Sequence, residues 1–330
     1  MDKRKLGAEG PAVSEIGLGC WSFAGAYGPT DETESHATLA TAIDLGIDFL
    51  DTANVYGNGV SESVIGSFIK DNPGKFKIAT KAGIYRNPAT NERGFNNDAA
   101  YLRGELERSL TRLGLERVDL YYIHRRQQEV PIEDLMQKLL AFRDEGKIGG
   151  IGFSEISPAT LRRAIAVGPV MAVQNEYSLW SRYPDLGMIQ TCRELGVAFV
   201  PFSPLCRGMA AATSPDPTTF EKGDFRNGTP RFTEPNFSTN IGYFDRFRAL
   251  AADMGTTASA LAIAWTLGRG EHLIPIPGTR SSEHLRDCSA GAGLKLGERE
   301  LAAIENVLPV GFAHGDRYSR QQWLGAEGYC

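Results

Sequence analysis

The sequence lacks the features that mark membrane, exported and nucleic-acid-binding proteins. No apolar run approaches the ~18 residues of a transmembrane span, and residues 1–7 show no apolar core of a signal peptide. The 35 basic and 40 acidic residues give a net charge of −5, so the basic excess of a nucleic-acid-binding protein is missing as well. We therefore expect neither a membrane nor nucleic acid among its partners.

Cysteine is scarce, and its spacing is not that of a disulfide framework or a zinc site. The five cysteines are odd in number, contain no C-x-x-C pair and are widely spaced: Cys20, Cys192, Cys206, Cys288 and Cys330. This pattern favours free thiols in a reducing compartment. We predict a cytoplasmic protein without a metal centre.

The composition excludes fibrous and generally disordered proteins. The 330 residues are 42% hydrophobic and 23% charged, with 37 Gly and 17 Pro, as in an ordinary globular chain. At ~150 residues per domain the length suggests two domains, although α/β barrels often exceed ~250 residues as one domain.

A pattern of helix, glycine and short apolar strand repeats along the chain. Between residues 102 and 113, leucines recur at helical spacing; the pattern stops at Gly114, and an apolar run follows over 118–123. Glycine at such a position supplies the left-handed cap that turns a helix back into a strand. About eight strands are predicted in this way, around 16–20, 47–51, 76–82, 118–123, 148–153, 171–176, 197–202 and 273–276.

The strand pattern decides between two α/β architectures. Most of the runs are apolar without strict alternation, as expected of parallel strands buried on both faces. Eight such units favour a closed (β/α)8 TIM barrel that forms a single domain over residues 1–330. The alternative is an open, doubly wound sheet, but no G-x-G-x-x-G follows the first strand.

Two stretches depart from the repeating pattern. Residues 208–240 are rich in Pro, Thr, Ser and Asn, and a loop of this length in a compact domain is usually functional or disordered. Residues 308–330 follow a last helix predicted at about 297–307. This tail is too aromatic for a solvated disordered end, since it contains Phe312, His314, Tyr318, Trp323 and Tyr329.

Polar side chains follow the predicted strands at their carboxyl ends, where parallel barrels carry their chemistry. Asp51 ends the second strand, and Tyr56 follows five residues later. Lys81 and His124 end the third and fourth strands. Alone, each has an ordinary structural explanation, such as a helix cap, a solvated strand end or a core histidine. Together, an acid, a phenol, an amine and an imidazole on one rim point to proton transfer.

The chemistry of such a group follows from the weak acidity of tyrosine. A phenol titrates near ~10, too high for an efficient acid at neutral pH. A lysine ammonium beside it favours the phenolate, and lowering the pKa by ~2 units corresponds to roughly 2.7 kcal/mol. A carboxylate would hold the lysine charged, and an imidazole would donate to the substrate oxygen. The predicted result is a general acid that protonates a carbonyl oxygen.

At this point the sequence resembles the aldo-keto reductase superfamily over nearly its whole length. The motifs that carry the resemblance are GLGCW at 17–21, FLDTANVYG at 49–57, SE at 61–62, TK at 80–81, RSLTRLG at 108–114, DLYYIHR at 119–125, VQNEY at 173–177, PFSPLCRG at 201–208 and IPIPGTR at 274–280. The resemblance implies a (β/α)8 barrel and NADPH-dependent reduction of a small-molecule carbonyl substrate.

The resemblance also implies roles for individual residues. Tyr56 is the expected proton donor, Lys81 lowers its pKa, Asp51 pairs with Lys81, and His124 orients the carbonyl. The expected cofactor-binding residues are Gly19, Cys20, Trp21, Asp51, Ser154, Glu155, Gln174, Phe202, Ser203, Pro204, Leu205, Arg207, Gly208, Pro277, Gly278, Thr279, Arg280, Ser281, His284 and Cys288. Relatives fold their C-terminal segments over the barrel mouth, so the tail is expected to form part of the substrate pocket; packing on the outer helices is the alternative.

Three positions depart from the common pattern of the family. Many members have Asn in place of Glu155, and relatives often have an acid where this chain reads Arg126-Gln127-Gln128. His284 and Cys288 stand where several branches carry Arg and Asn near the adenine.

Two other functions remain compatible with the barrel. A regulatory subunit that senses the cofactor would keep the fold and the nucleotide with little turnover. An isomerase with a phosphate site near the last two strands would leave the set of Asp51, Tyr56, Lys81 and His124 unexplained. Steady NADPH consumption with simple aldehydes distinguishes a reductase from the first of these.

Overall fold

A parallel sheet forms the centre of the protein. The computed structural model describes residues 1–87, 89–90 and 92–329. Within them, seven strands pair in parallel in the order β11-β10-β9-β8-β5-β4-β3. Their bounds are β3 Leu18–Gly19, β4 Phe49–Asp51, β5 Lys77–Ala82, β8 Leu120–Ile123, β9 Ile151–Ser154, β10 Ala172–Gln174 and β11 Ala198–Phe199.

Residues 273–277 close the sheet into a barrel without forming a strand of their own. On one side, the Ile274 and Ile276 N–H groups donate to residues 199 and 201, at 2.9 and 3.1 Å. On the other side, Pro275 and Pro277 accept from residues 17 and 19, at 2.9 and 3.0 Å. The prolines have no N–H to return toward β3, so the ladder stays incomplete on that side. The eighth unit therefore lies where the sequence predicts it, and the (β/α)8 barrel is confirmed.

Helices follow the strands and cover the outside of the barrel. Their bounds are α1 Glu32–Asp44, α2 Val60–Asp71, α3 Ala99–Leu113, α4 Ile132–Asp144, α5 Pro158–Val167, α6 Met188–Glu194, α7 Asn236–Asp253, α8 Ala258–Leu267, α9 Ser282–Ala290 and α10 Glu298–Val307. In α3 the predicted leucines form the buried face, and Gly114 ends the helix at φ 67°. Left-handed backbone of this kind suits glycine because it has no Cβ.

Two antiparallel hairpins were not anticipated. β1 (Lys3–Lys5) pairs with β2 (Ala12–Ser14), and Leu6 and Val13 pack with Phe49 and Leu120 of the barrel interior. The second hairpin, β6 (Ile84–Arg86) with β7 (Arg93–Phe95), follows the carboxyl end of β5. It extends the rim on which the site residues lie.

The long loop and the tail both have defined structure. The loop contains short 3-10 turns at Pro217–Thr219 and Pro230–Phe232, and α7 begins at Asn236, before the predicted end of the loop at 240. The tail follows α10, which confirms the predicted last helix. It begins on the outer wall, where the Phe312 ring packs on Tyr243 and Phe244 of α7 at 5.0 and 5.7 Å. Residues 317–329, called the C-terminal strap below, then cross the carboxyl ends of the strands.

The thiols, the helices and the possible metal ligands of the described residues can be located in the structure. Four cysteines are free and buried, and Cys330 lies outside the described part of the chain. Within that part, no helix is both long and apolar enough to cross a membrane, and no three His, Cys, Asp or Glu side chains form a group that would hold a metal ion.

Candidate active site

The structure brings the four predicted catalytic residues together on the rim of the barrel. Asp51 ends β4, Lys81 lies in β5, and His124 directly follows β8. The Lys81 ammonium donates to Asp51, to the carbonyl of Thr52 at 2.9 Å and to the Tyr56 hydroxyl at 3.4 Å. The rings of Tyr56 and His124 meet edge to face at 5.8 Å. Neighbouring parallel strands thus place an acid, an amine, a phenol and an imidazole in one contact network.

Burial sets the charge of these groups. Lys81 is fully buried, and desolvation lowers its pKa, while the Asp51 carboxylate acts in the opposite direction. For Tyr56 the expected lowering of the pKa is wrong in this structure: burial, together with the negative charge of Asp51, raises it well above 10. Desolvation and the Lys81 charge hold the pKa of His124 well below its usual value. At neutral pH Tyr56 therefore carries its proton, and His124 is uncharged.

Aromatic side chains form one wall beside Tyr56. Trp21 stacks on the Tyr56 ring with centroids 5.4 Å apart and planes at 23°. Phe225, from the long loop, meets Trp21 at 4.7 Å, and its N–H donates to the carbonyl of Ala26 at 3.0 Å. The loop therefore contributes directly to the surroundings of the rim. Sequence analysis missed Phe225, because nothing in the composition of the loop distinguishes it.

The residues predicted for the adenosine phosphate lie together at the start of α9. Ser281 caps this helix, and its hydroxyl accepts the N–H of His284 at 3.3 Å. Arg280 reaches back to the carbonyls of Tyr27 and Gly28, at 3.2 and 3.4 Å. Beside it lies a cavity of about 270 Å³, lined by Tyr27, Gly28, Pro29, Pro215, Asp216, Thr219, Phe220, Glu221, Asp224, Arg226 and Arg280. Arg280 and the nearby start of α9 offer donors of the kind that bind phosphate, whereas Arg226 of the cavity is already paired with Asp224.

Two residues predicted to bind near the adenosine, His284 and Cys288, differ in solvent exposure. His284 is exposed on the first turn of α9. Cys288, by contrast, is 1% exposed and packs with Ile16, Ile263 and Leu267. The structure thus places the Cys288 thiol in a small apolar cluster, and Cys288 is not among the residues that line the cavity.

Residues 277–281 approach the first strand of the barrel closely. A Cβ added to Gly19 would lie 3.0 Å from the carbonyl oxygen of Ile276 and 3.4 Å from the Gly278 Cα. A side chain at position 19 would require this backbone to shift by a few tenths of an ångström. Next to it, Cys20 is buried and its thiol donates to the carbonyl of Leu18 at 3.4 Å.

Comparison with known proteins identifies the family. The sequence profile described as "Aldo/keto reductase family" matches residues 15–309. The chain belongs to this family. It is 38% identical over 320 residues to the aldo-keto reductase yakc of Schizosaccharomyces pombe, which carries NADP(+) in its name, covering 96% of this chain and 94% of that protein.

Further relatives agree with this assignment. A probable aldo-keto reductase 1 of Glycine max is 38% identical over 321 residues, covering 95% of this chain and 91% of that one. The solved structure of a glycerol dehydrogenase from Gluconobacter oxydans superposes with a TM-score of 0.84 at 28% identity, covering 93% and 95% of the two chains. As an aldo/keto reductase the chain is an oxidoreductase.

In this aldo/keto reductase, Ser154 and Gln174 end β9 and β10 and are predicted to bind the cofactor. Both make hydrogen bonds to other residues of the protein. The Gln174 amide donates to Asp51 at 2.7 Å, which links the end of β10 to the Asp51–Lys81 pair. The Ser154 hydroxyl accepts from Arg125 at 3.0 Å. Ser154 and Gln174 therefore lie beside the rim residues, and their binding of the nicotinamide amide stays a prediction.

Residues 202–208 form a tight segment after β11. Phe202, Ser203, Leu205 and Gly208 are partly exposed, whereas Pro204 and Arg207 are buried. Ser203, Cys206 and Arg207 have φ values of 54–55°, and Glu155, which directly follows β9, has φ 58°. Left-handed backbone at non-glycine residues costs about 1–3 kcal/mol each and tends to cluster at functional sites.

Glu155 and Arg207 belong to a buried charge network with the C-terminal strap. The Arg317 guanidinium pairs with Glu155 and contacts Glu176 at 3.3 Å. Arg207 donates to Glu176 at 2.8 Å and to the carbonyl of Arg317 at 2.8 Å. Burial alone would raise the pKa of Glu176, but the arginines, with Arg207 foremost, lower it overall. The network joins the ends of three strands to the strap.

A second group of contacts fixes the far end of the strap. Glu327 accepts from Arg126 at 2.6 Å, from Thr160 at 2.6 Å and from the N–H of Ser157 at 2.9 Å. The Tyr329 hydroxyl accepts from the Asn175 amide. The tail therefore lies at the mouth from Arg317 onward, and it also packs on an outer helix through Phe312; its part in a substrate pocket stays a prediction. Arg317 and Glu327 were missed, because charged residues in a tail give no sequence signal of burial.

Proposed function

We propose that this chain reduces an aldehyde or ketone to the alcohol with NADPH, using Tyr56 as the proton donor. The observation that supports this most is the contact of the Tyr56 hydroxyl with the buried Lys81 ammonium at 3.4 Å, next to Asp51 and His124. The bound nicotinamide supplies the hydride. The chain's own residues manage the proton and the developing charge on oxygen.

Each rim residue has a distinct part in this proposal. Tyr56 stays protonated until the carbonyl oxygen gains negative charge, then transfers its proton to that oxygen. The Lys81 ammonium stabilises the phenolate left behind, and solvent returns a proton to it. Asp51 holds Lys81 in place and charged, and Gln174 orients Asp51. Neutral His124 donates a hydrogen bond to the carbonyl oxygen.

The cofactor site is proposed along the rim from 19–21 to 277–284. Arg280, Ser281 and the start of α9 would hold the adenosine phosphate, and Ser203, Leu205 and Gly208 would line the pyrophosphate. Phe202 would face the nicotinamide, with Ser154 and Gln174 near its amide. Residues 1–330 are proposed to form one catalytic domain. The buried free thiols support the proposal that the protein resides in a reducing compartment such as the cytoplasm.

Steady turnover tests the proposed activity. Purified protein should oxidise NADPH continuously in the presence of simple aldehydes, followed by absorbance. A regulatory subunit would bind NADPH and consume it at most once per chain. Binding without steady consumption across a panel of aldehydes, ketones, sugars and pyridoxal would contradict the proposal.

The cofactor preference is a second expected result. NADPH should bind more tightly than NADH, because Arg280 offers a fork of donors to the additional phosphate. Removing one such charge-assisted contact should cost about 1.5–3 kcal/mol, or roughly tenfold to a hundredfold in affinity. Titration of Arg280→Ala with both cofactors by protein fluorescence measures this. Equal dissociation constants in the wild type, or unchanged discrimination in the variant, would contradict it.

A further inference from the structure

Two arginines at the barrel mouth, Arg125 and Arg93, have no counter-ion among the described residues. No carboxylate of the described residues lies within 4 Å of the Arg125 or Arg93 guanidinium, whereas other arginines around the mouth are paired. Arg125 is only 6% exposed, and its Nε has no hydrogen-bond partner within the described part of the chain. A buried cation without an opposite charge is unfavourable unless something else neutralises it.

Arg125 lies directly beside the proposed proton-transfer group. It follows His124 in the chain and donates to the His124 carbonyl at 2.6 Å. The same nitrogen reaches the Ser154 hydroxyl at 3.0 Å, and the other reaches the Tyr318 hydroxyl of the strap at 3.5 Å. All of these partners are uncharged. The positive charge of Arg125 is therefore held at the rim by neutral acceptors.

Arg93 approaches the same place from the second hairpin. Its guanidinium lies over the Phe95 ring at 5.1 Å and donates to the carbonyl of Gln322 at 3.5 Å. A Cβ added to Gly325 of the strap would lie 2.7 Å from the Phe95 ring and 3.0 Å from the Arg125 Cβ. The strap thus packs against both the hairpin and Arg125, which brings the two arginines to one side of the mouth.

The pKa shifts of Arg93 and His124 agree with the placement of both arginines on one side of the mouth. Burial, followed by the charge of Arg125, lowers the pKa of Arg93 to about 10. Both arginines also contribute to the lowered pKa of His124, after burial and Lys81. The neighbouring Arg126 differs, because Glu327 pairs with it at 2.6 Å. Within the described part of the chain, the positive charge of Arg125 and Arg93 therefore remains uncompensated.

We propose that the carbonyl substrate carries an anionic group, a carboxylate or a phosphate, which Arg125 and Arg93 bind. This inference rests on the proposed reductase function and adds the substrate class to it. Guanidinium groups bind carboxylate and phosphate oxygens with two parallel hydrogen bonds, which gives geometric selection as well as attraction. The carbonyl then faces Tyr56 and His124, while the anion lies toward the hairpin and the strap.

A matched pair of aldehydes tests the proposal. 4-Carboxybenzaldehyde and methyl 4-formylbenzoate have the same ring and carbonyl and differ in the negative charge. In the wild type, kcat/KM should be at least about tenfold higher for the acid, as expected for hydrogen bonds to a charged group. The kcat/KM values for glyceraldehyde 3-phosphate and glyceraldehyde give the same comparison for a phosphate group. An advantage in either pair supports the proposal; no advantage in both would overturn it.

Arginine variants identify which positive charge causes the preference for the anionic substrate. Arg125→Met and the less buried Arg93→Gln should each reduce the advantage of the anionic substrate about tenfold. Arg117→Gln removes the same charge from an exposed site that precedes β8 at the opposite end of the barrel, and it should leave the advantage unchanged. Equal losses for both aldehydes in Arg93→Gln, with circular dichroism unchanged, would overturn the assignment.

A binding measurement separates this inference from the proposed activity. Benzoate should quench or shift the tryptophan fluorescence at lower concentration than benzyl alcohol, and Arg93→Gln should remove the difference. Absence of NADPH oxidation together with selective benzoate binding would refute the reductase function and retain the anion site. Turnover of aldehydes with no preference for anions in kinetics or binding would refute the anion site alone.

Discussion

Replacing Tyr56 by phenylalanine is expected to abolish carbonyl reduction while leaving NADPH affinity nearly unchanged. The substitution removes the hydroxyl that Lys81 contacts at 3.4 Å and keeps the ring that stacks on Trp21. Loss of a positioned general acid should lower kcat at least ~10²-fold. Steady-state kinetics with the best aldehyde give the loss in rate, and a fluorescence titration gives the dissociation constant for NADPH.

A second tyrosine provides the matched control. Tyr101 lies on α3, outside the barrel, and its hydroxyl donates to the carbonyl of Ile84 at 3.3 Å. Tyr101→Phe removes the same atom from a tyrosine that contacts neither Lys81 nor His124, so turnover should stay within about twofold of the wild type. If Tyr56→Phe retained the turnover of the wild type, Tyr56 would not be the acid.

Replacing Arg317 by methionine is expected to cause a large loss of stability. The variant leaves the buried Glu155 carboxylate without its ion pair and removes one of the partners of Glu176. Breaking a buried pair on one side typically costs about 3–5 kcal/mol, because an uncompensated charge stays in the interior. Urea unfolding of the wild type and the variant measures the difference in free energy.

Two further variants identify the cause of the loss. Combining Arg317→Met with Glu155→Gln removes the stranded charge, so part of the stability should return. Arg320→Met changes an exposed residue of the same strap and should cost less than about 0.5 kcal/mol. A loss of under about 1 kcal/mol in Arg317→Met, or no recovery in the double variant, would show that the pair contributes little.

The architecture could be predicted from sequence because the barrel repeats one local pattern. Each unit contains a helix, a capping glycine and an apolar strand, and the α10 region at 298–307 matches its prediction closely. The eighth unit of the barrel departs from this pattern. Pro275 and Pro277 remove donors from the closing ladder, so residues 273–277 pair only through isolated contacts.

For the site, sequence predicts which residues share the rim but not how they are buried. Asp51, Lys81 and His124 end neighbouring strands, and their proximity follows from the parallel arrangement. The pKa of Tyr56 depends on desolvation by surrounding aromatic groups, which come from distant parts of the chain. The direction predicted for that pKa was wrong for this reason. The partner of Glu155 lies 162 positions away, and no local pattern points to it.

The distance in sequence between the strap and its partners has a consequence for how the protein is made. The ribosome synthesises Glu155 and Glu176 162 and 141 positions before Arg317. At typical rates of elongation this interval is on the order of 10 seconds, while earlier segments already begin to fold. During that time Glu176 can pair with Arg207, but Glu155 has no Arg317 to bind. A newly made chain therefore completes this buried charge network only when the strap arrives.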